Sequence, residues 1–281
     1  MSWAKSTLAT SEWLDTQGVY RQLANTYVKS GWIERVGRGA FKRAGDKADW
    51  TGALYALQAQ LHLSVHAAGK TALQMQGYAH FLPAGFSAPL DDTSTSSTAI
   101  SVSEPDSGHT YGSKSKAGRK KSYPPTVLFG HSNEKLPVWF KQFPWNAKID
   151  YTMTNLFGGE DNLGLTDSNR GGYAIKISGP ERAMLEVCYD VPDKESFEEA
   201  GYLMEGLTTL RPALVQELLE KCQSVKVKRL FMYFAEERNH AWVKKLNLAK
   251  VDFGSGKRSL VEGGHYNKKY QIVVPNKAIS G

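Results

Sequence analysis

The chain has 281 residues, 41% hydrophobic and 22% charged, which is the composition of a folded globular protein with room for two domains. Its formal net charge is +7, so an anionic partner is expected. Apolar runs are too short to span a bilayer and the N-terminus has no signal-peptide core, so membrane proteins are excluded and the expected compartment is the cytoplasm.

Residues 2–9 are expected to form a short helix that packs Trp3 and Leu8 beneath the next two helices. Thr10 can cap a helix through Trp13 and Leu14 that closes at Gly18. A second helix is expected from Tyr20 to Ser30, with Leu23, Ala24, Tyr27 and Val28 as its apolar stripe. Arg21, Asn25 and Lys29 recur every four residues and so share a face, with Gln22 and Thr26 beside it. Gly31 ends that helix. Trp32, Ile33, Arg35 and Val36 read as a strand, Gly37-Arg38-Gly39 as a turn, and Ala40–Arg43 as a returning strand. From Arg21 to Arg43 there are six Lys or Arg against one acid, Glu34.

Two helices on a tight turn followed by a basic hairpin is the layout of a winged helix-turn-helix. Arg21, Gln22, Asn25, Thr26 and Lys29 are side chains suited to base edges in a major groove. Arg35, Arg38, Lys42 and Arg43 suit flanking phosphates or the minor groove. Helix-turn-helix proteins commonly read paired half-sites, so inverted repeats in double-stranded DNA are the expected target. The bland alternative is a helical subdomain with a solvated basic face.

Asp49 can cap a helix carrying Leu54, Tyr55, Leu57 and Leu61. Ser64–His66 reads as a short strand and Lys70–Gln76 as a helix, which sets the first domain at residues 1–86. His62, His66 and His80 lie close in sequence without a Cys or carboxylate at ligand spacing, and no metal is expected there. Residues 87–125 read as a flexible polar, basic insertion. It holds a Ser/Thr tract, a candidate strand at Ile100 and Val102, and the cations Lys114, Lys116, Arg119, Lys120 and Lys121. That tract is either a solvated linker or an arm that touches nucleic acid.

The remainder, residues 126–281, reads as a second domain with strands first and helices after. Strands are expected at Thr126–Phe129, Ile149–Thr154 and Tyr173–Ile177, with a Gly- and Asn-rich loop from Gly158 to Gly172. Four helices are expected at about 181–191, 195–209, 212–223 and 225–239. A two-stranded ribbon, Arg258–Val261 with Tyr270–Val274, should close the chain. Cys188 and Cys222 fall in helical apolar stretches and read as reduced core residues, with a disulfide as the alternative. The fold class is therefore α+β, a winged helix-turn-helix domain followed by a mixed α/β domain.

From Glu181 to Glu205 there are eight acids against two basic residues, and from Lys221 to Lys269 twelve basic residues against four acids. The carboxylates of the first stretch are spaced as an exposed helix face. The asymmetry suggests two different surfaces, one able to steer a charged protein partner.

Local signatures of catalysis are missing. Gly37-Arg38-Gly39 begins like a dinucleotide fingerprint, but Lys42 stands where a Gly is needed and no helix comes after it. Gly256-Lys257 has Val251 and Arg258 in the places of a phosphate loop's first Gly and its hydroxyl residue. No nucleophile elbow, zinc-protease helix or paired-cysteine cluster is present. No catalytic residue and no cofactor are expected.

Several runs, in order along both halves, resemble one family. They are Gly31-Trp32-Ile33-Glu34-Arg35-Val36-Gly37-Arg38-Gly39-Ala40-Phe41, Leu136-Pro137-Val138-Trp139-Phe140, Thr154-Asn155-Leu156-Phe157 and Ser178-Gly179-Pro180-Glu181-Arg182-Ala183. Leu203 to Pro212 and Lys268-Lys269-Tyr270-Gln271-Ile272 complete the set. The chain is similar to the AbiEi antitoxins of type IV, abortive-infection toxin–antitoxin systems of phage defence. Residues 87–125 depart from that pattern and look like an insertion. The resemblance implies a winged helix that represses its own promoter and a C-terminal antitoxin domain. That domain would counter a co-encoded nucleotidyltransferase toxin, with or without a stable complex. Two other readings stand beside it: a winged-helix transcription regulator whose C-terminal domain senses a ligand, and a nuclease or nucleotide-modifying enzyme with dispersed residues.

Overall fold

The computed structural model describes residues 3–78 and 125–276; His80, the strand expected at Ile100 and Val102 and the basic run Lys114–Lys121 lie outside them. The N-terminal head begins with β1 (Ala9–Thr10), α1 (Ser11–Thr16) and α2 (Arg21–Lys29). A hairpin of β2 (Ile33–Gly37) and β3 (Ala40–Arg43) comes next. No helix forms over residues 3–8. Thr7 donates its hydroxyl to the Ala4 carbonyl and Trp3 its indole N–H to that of Thr7, while Ser6 takes a φ of 60°. Such local side-chain bonds compete with helix formation. The chain instead enters β1, which pairs with β3 through Ala9 opposite Phe41 and Thr10 opposite Ala40. Ala9, Leu14, Val19, Ala24, Ile33 and Phe41 form the head's own core, with Trp3 and Trp13 packed against it. Leu8 turns the other way, into the main core.

The body starts with α3 (Trp50–Ala59), whose N-cap Asp49 accepts from the amides of Thr51 and Gly52. Next come β4 (His66–Ala67), α4 (Gly69–Met75), β5 (Thr126–Gly130), α5 (Val138–Gln142), β6 (Ile149–Met153), β7 (Leu165–Asn169) and β8 (Ala174–Ser178). Helices α6 (Pro180–Asp190), α7 (Phe197–Gly206), α8 (Pro212–Lys221) and α9 (Val225–Glu237) cover the sheet side. The five strands run in the order β6-β5-β4-β8-β7. Its middle strand, β4, thus comes from the first 86 residues and its neighbours from beyond residue 125. One apolar cluster likewise joins Leu54, Leu57 and Leu73 to Leu128, Ile175 and Leu185.

Two sequence expectations fail here. The segment read as the loop Gly158–Gly172 contains β7, an edge strand whose polar alternation lacks a hydrophobic signature. It is held by full antiparallel pairing to β8 and by Lys176 to Asp167 at 2.9 Å. The closing ribbon has three strands, β9 (Arg258–Ser259), β10 (His265–Asn267) and β11 (Ile272–Val274). Its order is β10-β11-β9, with β9 parallel to β11 and β10 antiparallel. Cys188 and Cys222 are both buried free thiols.

The acidic stretch also differs from its expected exposed face. Glu181, Glu186, Asp190, Glu195 and Glu199 are all buried. Glu186 uses both oxygens twice: Oε1 accepts from Arg182 Nε at 2.8 Å and faces His66 Nε2 at 3.0 Å. Oε2 accepts from Ser178 Oγ at 2.6 Å and the Gly69 amide at 3.0 Å. Burial pushes this carboxyl up, but His66, Arg182 and Ser178 outweigh it and hold the group at about 2. Glu181 is likewise held below its ordinary value, burial again being overcome by the Arg211 fork at 2.9 and 3.0 Å. Glu195 and Glu199 share the Lys70 ammonium. Burial raises the Glu195 carboxyl, and it pushes Asp190 up to about 6. Helical spacing cannot distinguish carboxylates that face solvent from carboxylates that face a buried Arg, His or Lys.

This architecture can be tested by truncation and by pH. A chain starting at residue 123 lacks β4, α3 and α4 and should melt without a cooperative transition by circular dichroism. One starting at residue 45 keeps all five strands and should melt cooperatively. The buried carboxyls set the pH response. Glu186 titrates below its ordinary 4.5, so its stabilisation is complete above about pH 4.5 and is lost as pH falls toward 2. Asp190 titrates above its ordinary 3.8, so stability declines as pH rises from about 4 through 6. Glu186→Gln should cost about 3–5 kcal/mol at neutral pH and flatten the acid limb, because it leaves Arg182 buried without its carboxylate. Asp190→Asn should flatten the other limb; melting temperatures across pH 3–8 read both.

Candidate nucleic-acid interface

The two helices of the head end in the same way. After α1, Gly18 takes a φ of 80°; its amide bonds the Asp15 carbonyl at 2.9 Å and the Val19 amide bonds that of Leu14 at 2.8 Å. After α2, Gly31 takes a φ of 70°, its amide bonds Val28 at 3.1 Å, and the Trp32 amide bonds Tyr27 at 3.0 Å. This is the Schellman arrangement, with its usual apolar contact between the residues flanking the glycine. In the first turn Val19 and Leu14 are both buried, and in the second the Trp32 ring stacks on Tyr27 at 6.2 Å. The stack accounts for a tryptophan that is 71% exposed and lies just before β2 rather than within it.

The hairpin register sets Glu34 opposite Lys42 and Arg35 opposite Phe41, with a bulge before Gly37. Gly37 has a steric reason to be glycine: a Cβ there would lie 2.7 Å from Trp139 Cβ of α5. The turn end of the hairpin is thereby packed on the body, and it is also tied to α1 by Ser11 N–H to the Gly39 carbonyl at 2.9 Å.

On α2, Arg21, Gln22, Asn25, Thr26 and Lys29 are all exposed. Arg21 and Asn25 meet Arg35 and Arg38 of the hairpin around an open groove of about 460 Å³, floored by Leu14, Val19, Ala24 and Phe41. Gln22, Thr26 and Lys29 lie on α2 outside that groove, and Thr26 donates its hydroxyl to the Gln22 carbonyl at 3.1 Å. Arg21, Lys29 and Arg38 have no ion-pair partner among the described residues. Arg35 donates Nη2 to Asn25 Oδ1 at 2.9 Å, and its guanidinium lies 5.0 Å from the centre of the Phe41 ring.

Lys42 and Arg43 sit differently. Lys42 pairs with Glu34 at 2.7 Å and donates to the Asp46 carbonyl at 3.1 Å. That ammonium and the Gly45 amide hold the Glu34 carboxyl below its ordinary value. Arg43 pairs with Asp46 at 3.3 Å, donates to the Trp3 carbonyl at 2.7 Å and lies over the Trp3 ring. Glu34 stands opposite Lys42 in the hairpin and Asp46 three residues after Arg43, so these ion pairs are local, whereas the Trp3 contact spans 40 residues. Sequence reasoning also missed Glu12 and Asp15, which line the groove beside the arginines. Their position on α1 needs the angle between the two helices, which no spacing encodes.

An exposed helix face of amide, hydroxyl and guanidinium donors beside the hairpin's Arg35 and Arg38 suits a polyanion with readable edges. His66 has both ring nitrogens committed, Nδ1 facing the Ser64 carbonyl at 3.0 Å and Nε2 facing Glu186. No group of His, Cys, Asp or Glu among the described residues is placed to hold a metal ion. No helix among them is long and apolar enough to cross a membrane.

Comparison with known proteins fits this geometry. Residues 2–84 match the family described as "Transcriptional regulator, AbiEi antitoxin N-terminal domain". Residues 124–275 match "Transcriptional regulator, AbiEi antitoxin, Type IV TA system". No curated protein sequence matches the chain. Among solved structures it is similar to the RV2827C protein from Mycobacterium tuberculosis, with a TM-score of 0.54 and 13% identity. That alignment covers 95% of this chain and 86% of the other, and it is a likeness of fold alone. With family matches over nearly its whole length, the chain belongs to the AbiEi family, the transcriptional-regulator antitoxins of type IV toxin–antitoxin systems.

Proposed function

We propose that this protein represses its own promoter by placing α2 in the major groove, and that its body counters a co-encoded nucleotidyltransferase toxin. The observation that carries the DNA half is the convergence of Arg21, Asn25, Arg35 and Arg38 on one open groove from two elements of the head. Arg21 and Arg38 are the phosphate contacts in this reading, together with Lys29. Gln22, Asn25 and Thr26 face base edges, and Arg35 stands beside Asn25. Lys42 and Arg43 brace the hairpin base through Glu34, Asp46 and Trp3.

The DNA-reading surface is confined to the head, before residue 44. Residues 50–78 join residues 126–276 in the body, which has the antitoxin role. A regulator needs no chemistry of its own, and we assign this chain no catalytic residue. The toxin half rests on the family's membership of type IV systems.

Duplex DNA from the region upstream of the gene tests the DNA half. Arg21→Ala and Arg38→Ala should each flatten the dependence of log affinity on log salt by about 0.9, the value of one neutralised phosphate. Lys42→Ala and Arg43→Ala should chiefly lower the melting temperature instead. Unaltered salt slopes in both arginine variants would remove the groove from the DNA contact. A footprint on that duplex should cover paired half-sites in inverted repeat. For the toxin half, co-expression with a neighbouring nucleotidyltransferase gene should restore growth. Rescue should persist when Arg21 and Arg38 are both alanine, although repression is lost. Failure of that folded variant to rescue would mean that the two roles are not separable in this way.

A further inference from the structure

Arg35 lies on the hairpin, where a cation is most simply a phosphate contact, yet it is engaged inside the head. Its Nη2 donates to Asn25 Oδ1 at 2.9 Å, and its guanidinium lies on the face of Phe41, 5.0 Å from the ring centre. Phe41 is itself 3% exposed and pairs directly with Arg35 across the hairpin, so the platform beneath the guanidinium is fixed. A planar cation stacked on an immobile ring loses less freedom on making a further bond than a free side chain does.

The chemistry of this contact sets the orientation of Asn25. A guanidinium has donors only, so the amide must present its oxygen to Arg35 and turn its NH₂ away. A free asparagine at an exposed helix position has both orientations available, and only one of them offers donor and acceptor in the order that a given base edge needs. The amide oxygen has two lone pairs and Arg35 uses one. The other, with the two N–H donors, remains for the acceptor–donor pattern that matches adenine N6 and N7.

Resting on the reading of α2 as the base-reading helix, we infer that Arg35 is a positioning residue. It acts on sequence preference through Asn25 rather than on affinity through a phosphate. The contact joins the hairpin to the helix, so the base-reading geometry depends on a residue that touches no base.

Full-length protein with two duplexes tests this: one from the region upstream of the gene, one scrambled at equal length and composition. The preference is the ratio of the two affinities. Asn25→Ala and Arg35→Ala should each lower it by roughly fivefold or more, the span of one bidentate base contact starting there. The double variant should lose no more than either single one, and Arg35→Ala should keep the wild-type salt slope. Arg35→Lys should lose preference as the alanine does, because an ammonium lacks the planar fork that rests on Phe41. Additive losses, with a salt slope flattened by about 0.9, would make Arg35 a phosphate contact and overturn the inference. Full recovery by lysine would overturn it too.

A readout without DNA separates this from the reading beneath it. In the free protein the Asn25 side-chain amide signals, identified by their loss in Asn25→Ala, should move in Arg35→Ala. Unmoved signals overturn the inference. If they move but wild-type protein does not distinguish the two duplexes, it is the assignment of α2 to base reading that fails.

Discussion

The body is organised around one carboxylate that has no access to water. Glu186 on α6 takes four hydrogen bonds, from His66 at β4, Gly69 at the start of α4, Ser178 at the end of β8 and Arg182 one turn back along its own helix. Every lone pair is satisfied, which is the condition under which a buried charge can be tolerated. The groups that satisfy it come from separate elements, so the arrangement fixes how β4, α4, β8 and α6 meet. Arg182 extends the set by donating to the carbonyls of Asp161 and Leu163, just before β7, and by lying over the Phe157 ring. Pairing of two strands and the packing of two helices thus depend on a single side chain being charged and fully bonded.

The head is organised by backbone geometry instead. Its two Schellman turns each use a glycine in the left-handed region to satisfy orphan carbonyls and reverse the chain in a few residues. The head is set on the body through Gly37, where the hairpin approaches α5 closely enough to forbid a side chain. Rigid placement of this kind lets two elements aim side chains into one groove, which loops alone do poorly.

Much of the head was legible in the sequence because its determinants are local. Thr10 as a cap, Gly18 and Gly31 as stops, and the four-residue recurrence of Arg21, Asn25 and Lys29 are read directly from spacing. The resemblance to the AbiEi antitoxins was legible in runs such as Gly31–Phe41 and Leu203–Pro212. What escaped is what depends on distant partners. Residues 2–9 read as a helix, but residues 3–8 form none, and Ala9 and Thr10 pair with Phe41 and Ala40 as β1. The strand Leu165–Asn169 carries polar residues because it is an edge, and only Ala174–Ser178 makes it a strand. The acids from Glu181 to Glu199 follow helical spacing whether they face solvent or a buried cation, so sequence could not tell that Arg211, Lys70 and His66 await them. Likewise nothing local to Arg43 indicates that the carbonyl and ring of Trp3 engage its guanidinium.

The central position of β4 has a consequence for how the molecule comes into being. On a ribosome the chain emerges from its N-terminus, and the head's core, with Trp3 packed against it, ends at Phe41, so its contacts are available as soon as that stretch is out. The sheet cannot close then, because β4 must wait for β5 and for β8, whose Ile177 pairs with Ala67. A nascent chain therefore assembles its N-terminal head while its body is still incomplete.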